Sequence, residues 1–197
     1  PIDQFDYSPT TIYGESKVQT EKIVWSNPLS CDWAIIRPTS IWGPWFHVPY
    51  KNFFDLVMAK KYFHIGYRSC TKTYGYVENS IFQIEKILFT ETKEESNKVF
   101  YIGDYESINI EDWANEIAHE LGNSIKRVPF FLIKILARFG DTLKLFNINY
   151  PMNSFRLKNM TTNNNVNLSS TLKLAPNLPY TRVEGVKRTI NWIKINK

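Results

Sequence analysis

A chain of 197 residues, 43% hydrophobic and 22% charged, has ordinary globular composition and length for one domain or two small ones around a sizeable core. Its net charge of +5 is scattered over short, distant groups such as "AKK", "IKR" and "VKR", which argues against a nucleic-acid arm and suits a small anionic ligand. Two cysteines, three histidines and no CxxC or HExxH leave neither a disulfide framework nor a metal site.

In chain order, residues 1–12 read as a polar loop. A helix is predicted from Tyr13 to about Trp25 on its helix formers Glu15, Lys17, Gln19, Glu21 and Lys22, with Pro28 breaking it. "CDWAIIRP" holds a near-continuous apolar run, Trp33 to Ile36, ended by Pro38, as in a strand buried on both faces of a parallel sheet. "TSIWGPW" is then a loop at that strand's carboxyl end, where open α/β sheets place ligands. "YKNFFDLVMAKKYF" carries Phe53, Phe54, Leu56, Val57 and Phe63 at helical spacing, and "TKTYGYV" reads as a short strand or extended loop.

"ENSIFQIEKILFTET" is an amphipathic helix and "KVFYIG" a strand ended by Gly103. "NIEDWANEIAHELG" has Asn109 as N-cap, acids in its first turn and Gly122 past its end. After the short strand "IKRVP", Pro129 opens a strongly apolar helical stretch to Phe146, interrupted at Gly140, which is either core or the wall of an apolar pocket. "MTTNNNVNLSS" reads as a loop, and the closing helix carries a capping box at Thr181 and Glu184. With no signal-peptide pattern and no apolar run long enough to cross a bilayer, the chain reads as cytoplasmic, with no membrane partner.

The eight glycines stand far apart, so there is no GxGxxG and no P-loop to cradle a phosphate. Tyr13 and Lys17, four residues apart, share one helix face. An ammonium beside a phenol stabilises the phenolate and lowers the tyrosine pKa from its reference of about 10. Such a tyrosine can exchange a proton with a substrate hydroxyl during hydride transfer. A chain this rich in Tyr and Lys contains one such pair by chance, so context must carry the reading.

The context is a joint pattern. "YGESK", a helix and "IIRPTSIWGPW" together resemble the extended short-chain dehydrogenase/reductase family, specifically its NAD-dependent epimerase/dehydratase branch acting on nucleotide sugars. That branch runs Tyr-Gly-x-Ser-Lys, helix, buried strand, Arg-Pro-x-Asn-x-Tyr-Gly-Pro; Tyr13, Gly14, Ser16, Lys17, Arg37, Pro38, Gly43 and Pro44 match in order. "TYGYVENSIFQIEKIL" is similar to the family's Val-Asp-Asp step, with Val77 retained, and the likeness continues through "KVFYIG" to "EGVKRTINWI". The chain departs at Ser40 (usually Asn), Trp42 (Tyr or Phe), Lys72 and Thr73 (Arg-Asp), and Glu78 and Asn79 (paired acids). Lys72 would meet a diphosphate as a point charge, without the bidentate grip of Arg.

The resemblance implies the C-terminal part of a Rossmann-type doubly wound α/β fold, with a small mixed α/β substrate-binding domain. Residues 1–48 and 76–103 would belong to the dinucleotide-binding domain, and 49–75 with 104–197 to the substrate domain. The glycine-rich half would lie upstream. The implied cofactor is NAD or NADP, with most of its site outside this chain. Tyr13 would be the general acid/base, and Lys17 its electrostatic partner and ribose clamp. Pro38, Thr39 and Ser40 would lie near the nicotinamide, while Arg37 reads as a structural ion-pair residue. Ser40, Trp42, Phe54, Lys72, Tyr74 and Arg156 would contact a nucleotide-sugar substrate. A homo-oligomer is expected. The alternatives are a reductase or dehydrogenase of another substrate on the same scaffold, or a fragment unable to turn over.

Overall fold

The computed structural model describes residues 5–27, 29–48, 50–67, 70–90, 99–148 and 150–196. In chain order the elements are α1 (Ile12–Ser26), β1 (Ile35–Pro38), β2 (Ser40–Trp42), α2 (Tyr50–Met58), β3 (Phe63–Ile65), β4 (Thr71–Lys72), β5 (Tyr74–Tyr76) and α3 (Val77–Leu88). They continue with β6 (Val99–Ile102), β7 (Ile108–Asn109), α4 (Ile110–His119), β8 (Lys126–Val128), α5 (Phe130–Leu145), α6 (Ser154–Thr161), α7 (Ser169–Leu174) and α8 (Arg182–Ile195). The strands pair two by two: β1 with β6, β2 with β5 and β3 with β8 in parallel, and β4 with β7 antiparallel. Each parallel pair is joined through helical crossovers, which is how a mixed α/β chain is built.

Three apolar clusters hold these elements. The largest packs Trp42 of β2, Phe54 of α2, Tyr76 of β5, Trp113 and Ile117 of α4 and Ile190 of α8. A second joins Ile65 of β3, Ile133 and Ala137 of α5 and Leu157 of α6. The third sits beneath β1 and β6, around Ile87, Phe100 and Ile102. The high aromatic content is thus spent mainly on the first cluster, where Trp42 lies 5.1 Å from Trp113 and 6.0 Å from Phe54 between ring centroids.

α1 is held differently, because none of its residues is buried. Thr11 caps it by accepting from the Gly14 N–H at 3.0 Å. The helix ends at Ser26, and Pro28, the expected breaker, lies outside the described residues. Its tether to β1 is a two-pronged pair: Arg37 donates through Nε and Nη2 to the two carboxylate oxygens of Glu21 at 2.9 and 2.6 Å. A third donor, Nη1, reaches the Tyr101 hydroxyl at 2.7 Å. Beyond it, Phe5, Trp25 and Trp33 pack edge to face.

Several expectations change. β1 is half-buried, with Pro38 exposed, not buried on both faces; among the described residues its one strand partner is β6, so one edge is uncovered. α2 stops at Met58, because Lys60 takes a positive φ of 59° and the N–H groups of Lys61 and Tyr62 both turn back to the Leu56 carbonyl. Phe63 therefore begins a strand. α5 runs through Gly140 without a break. The glycine is needed there because a Cβ would collide with the Met152 carbonyl. The expected loop over residues 160–170 begins inside α6 and ends inside α7, and residues 91 and 92 of the expected third helix lie outside the described residues. The caps behave as the sequence indicates: Asn109 accepts from the N–H groups of Glu111 and Asp112, and Thr181 and Glu184 form the capping box.

Two measurements probe this framework. Arg37→Met strips Glu21 of its partner in a site where the two side chains are only 13% and 17% exposed, and should cost about 3 kcal/mol. Hydrogen exchange should then show α1 losing protection before α4 and α8; uniform loss would mean the pair is not the tether. Gly140→Ala should lower the thermal midpoint by an amount equivalent to about 1–3 kcal/mol, through the clash with Met152.

A candidate substrate cavity and the Tyr13–Lys17 face

A cavity of about 290 Å³ opens between the first and second apolar clusters. Lys72 of β4, Tyr74 of β5 and Arg156 of α6 meet there, against an aromatic wall of Tyr50, Phe53 and Trp113. Phe53 stacks on Trp113 with centroids 4.8 Å apart, so the wall continues the main core. The two cations come from opposite sides. Lys72 Nζ donates to the Thr162 carbonyl at 2.9 Å and Arg156 Nη1 to the Pro151 carbonyl at 2.6 Å. An ammonium carries three donors and a guanidinium five, so each has capacity beyond these bonds.

The cavity's carboxylate does not neutralise them. Glu111 is gripped by Arg127 through two bonds of 2.8 Å, and that guanidinium holds its carboxyl below the usual range despite partial burial. Burial pushes the Tyr74 phenol up, reinforced by Tyr50 and Cys70, so it stays a neutral donor. The Cys70 thiol is likewise raised by burial and donates to the Met160 carbonyl at 3.1 Å, which leaves it an unreactive wall residue. The site therefore offers two cations, neutral phenols and flat aromatic faces, which suit an anion attached to a planar group.

The remaining residues singled out in the sequence fall into three places. Ser40 donates its hydroxyl to the Tyr50 hydroxyl at 2.8 Å and so touches the cavity wall indirectly. Trp42 and Phe54, expected to contact substrate, are 1% and 0% exposed in the main core and line no part of the cavity. Both side chains turn inward, onto Trp113, and keep no surface for a ligand. Tyr13 and Lys17 do share the outer face of α1: the ammonium lies 5.2 Å from the centroid of the tyrosine ring, and both side chains are open to solvent. They do not line the cavity. Pro38 is exposed at the end of β1, whereas Thr39 donates both its N–H and its hydroxyl to the Ile102 carbonyl, at 3.0 and 2.9 Å, leaving neither as a donor for a ligand. Arg37 is a structural pair, as described for α1. Among the described residues no three His, Cys, Asp or Glu side chains gather as metal ligands.

Tyr50, Trp113, Asn159 and Met160 are among the further lining residues that carry no signal of a site in the sequence. The first two look like helix residues in the sequence, and α6 offers no clear period from which the others could be placed.

With this geometry the chain resembles solved structures of known enzymes. It superposes on UDP-glucuronic acid 4-epimerase from Bacillus cereus, in complex with UDP-glucuronic acid and NAD, with TM-score 0.69 and 16% identity, over 96% of this chain and 55% of that one. For UDP-glucose 4-epimerase from Thermotoga maritima, with UDP-glucose, the values are 0.62, 12%, 93% and 53%. For dTDP-glucose 4,6-dehydratase from Bacillus anthracis, in complex with NAD, they are 0.61, 15%, 96% and 54%. The chain spans about half the length of these structures. No family model matches it, and no curated protein matches it. The fold is therefore a Rossmann-like mixed α/β fold of the kind these epimerases and dehydratases have.

The Glu111–Arg127 pair gives a pH test. A carboxyl whose folded pKa is depressed adds stability above its unfolded pKa and loses it as pH falls through the folded value. The thermal midpoint should thus decline on acidification below about 4, and the decline should be shallower in Glu111→Gln, which has no carboxylate to protonate.

Proposed function

We propose that this chain is the substrate-binding part, with the Tyr/Lys edge, of an NAD-dependent enzyme that epimerises or dehydrates a nucleotide sugar. The observation that carries the reading is the convergence of Lys72, Tyr74 and Arg156 on one aromatic-walled cavity, in a fold shared with such enzymes. A nucleotide's diphosphate would meet Lys72 as a point charge and Arg156 as a planar fork, with its base against the aromatic wall. Tyr74, held neutral, would donate a hydrogen bond.

The dinucleotide fits this chain only at one end. Tyr13 and Lys17 present a hydroxyl and an ammonium on one open face, suited to a ribose and its reacting neighbour, but the 197 residues hold no glycine turn for a pyrophosphate. Bound NAD would supply the hydride acceptor. Tyr13 would take the proton from a substrate hydroxyl at its phenolic oxygen, with Lys17 stabilising the phenolate. Such a cycle returns the cofactor unchanged, and an isomerised or dehydrated sugar without net NADH separates it from a reductase on the same scaffold. A homo-oligomer is part of the proposal.

The tests separate the two places. In the full polypeptide, Lys72→Met and Arg156→Met should each weaken calorimetric binding of UDP-glucose or dTDP-glucose about tenfold, by loss of one charge-assisted contact. Unchanged affinity in both variants sinks the cavity assignment. Tyr13→Phe should leave that affinity intact and lower kcat by about 10²–10⁴-fold; full activity in this variant removes Tyr13 from the chemistry.

A further inference from the structure

α5 is apolar on two sides. Its inner side buries Ile133, Ala137 and Gly140 against the second cluster. Its outer side carries Phe131, Ile135 and Phe139, one turn apart, with Leu132 and Leu136 beside them, and all five stand open to solvent. The strip continues past the helix end through Leu145 and Phe146, exposed by 82% and 71%. A helix apolar all round is ordinarily buried, so this outer strip calls for a cover.

The charges beside the strip indicate which. Lys134 and Arg138 run along one edge, and Lys144 follows in the last turn. The helix has one carboxylate, Asp141, which faces inward enough to accept the Ser154 N–H at 3.1 Å. Its carboxyl is held below the usual range by Ser154. No acid therefore shares the outer face. At 16 residues the helix is about 24 Å long, and among the described residues no helix is long and apolar enough to cross a bilayer. Aromatic and branched residues on one side with Lys and Arg at the margin is the pattern of a helix lying in a membrane interface. A symmetric contact with a second copy fits less well, since it would oppose two cationic margins with no carboxylate between them.

We propose that α5 and the turn after it dock the protein flat onto an anionic bilayer surface, with Phe131, Ile135 and Phe139 entering the headgroup boundary and Lys134 and Arg138 meeting lipid phosphates. This departs from the expectation of no membrane partner, which rested on spanning length alone. It stands apart from the enzymatic reading. The helix also touches the cavity's frame, because α5 packs on α6, the element that carries Arg156.

The test is co-sedimentation of the full polypeptide with vesicles of phosphatidylcholine plus phosphatidylglycerol, against phosphatidylcholine alone. Binding should require the anionic lipid and weaken with salt. Lys134→Glu with Arg138→Glu should reduce it about tenfold or more, at roughly fivefold per charge even before reversal. Phe131→Glu with Phe139→Glu should abolish it while circular dichroism stays near wild type and the thermal midpoint falls only slightly, through the lost edge contact of Phe139 with Tyr150. Absence of binding to anionic vesicles at low salt overturns the proposal, as does binding that both variants leave unchanged. Light scattering that shows a dimer dissolved by Phe131→Glu with Phe139→Glu, without vesicle binding, assigns the strip to a second copy and overturns it equally.

Discussion

Trp113 is the point on which the arrangement turns. Its ring touches Trp42, Phe53, Phe54 and Tyr74, drawn from three other elements, and it is both the centre of the main core and part of the cavity wall. Wall and core are therefore one packed body, and the cavity's aromatic side has the rigidity of a protein interior. The opposite side belongs to α6, which rests on the smaller cluster around Leu157 and Ile133. The cavity is a seam between two apolar bodies, and its polar residues sit at the rim where neither body could bury them.

A second kind of constraint governs α1. A helix with no fully buried residue is held only weakly by apolar packing, here at Trp25, so its position depends largely on Arg37, whose guanidinium spends donors on Glu21 and on Tyr101. This links two stretches that the sequence offers as separate features: the arginine within β1 orients the helix that carries Tyr13 and Lys17. Its role is positional, and it acts through packing and charge at a distance from any reacting atom.

Local signals in the sequence were legible where the physics is local. The caps at Asn109 and at Thr181 with Glu184 depend on residues three apart and appear as expected. The strands β1 and β6 fall where short apolar runs end at Pro38 and Gly103, although which strand pairs with which is read only from the structure. What depends on long-range packing was not legible. An aromatic residue reads the same whether it lines a cleft or fills a core, so the sequence points to Trp42 and Phe54 as substrate contacts and gives no sign that Tyr50 and Trp113 line the cavity. Gly140 looked like a break because the close approach of Met152 is invisible in sequence. α6 has one buried residue, Leu157, and no periodicity to announce it. Arg156 lies more than eighty residues after Lys72 and Tyr74, yet the three share one cavity.

The seam between the two bodies has a further consequence. Lys72 stands on a strand tied to β7, whereas Arg156 immediately precedes Leu157, whose side chain is wedged beside Ile133 and Ala137. The gap between the two positive groups is thus set by the bond from Lys72 to Thr162 at the end of α6 and by an oily layer whose inner residues, Leu157, Ile133 and Ala137, do not line the cavity. Trimming or enlarging that layer resets the span available to an anion, so selectivity in such a cleft can drift through changes well outside it.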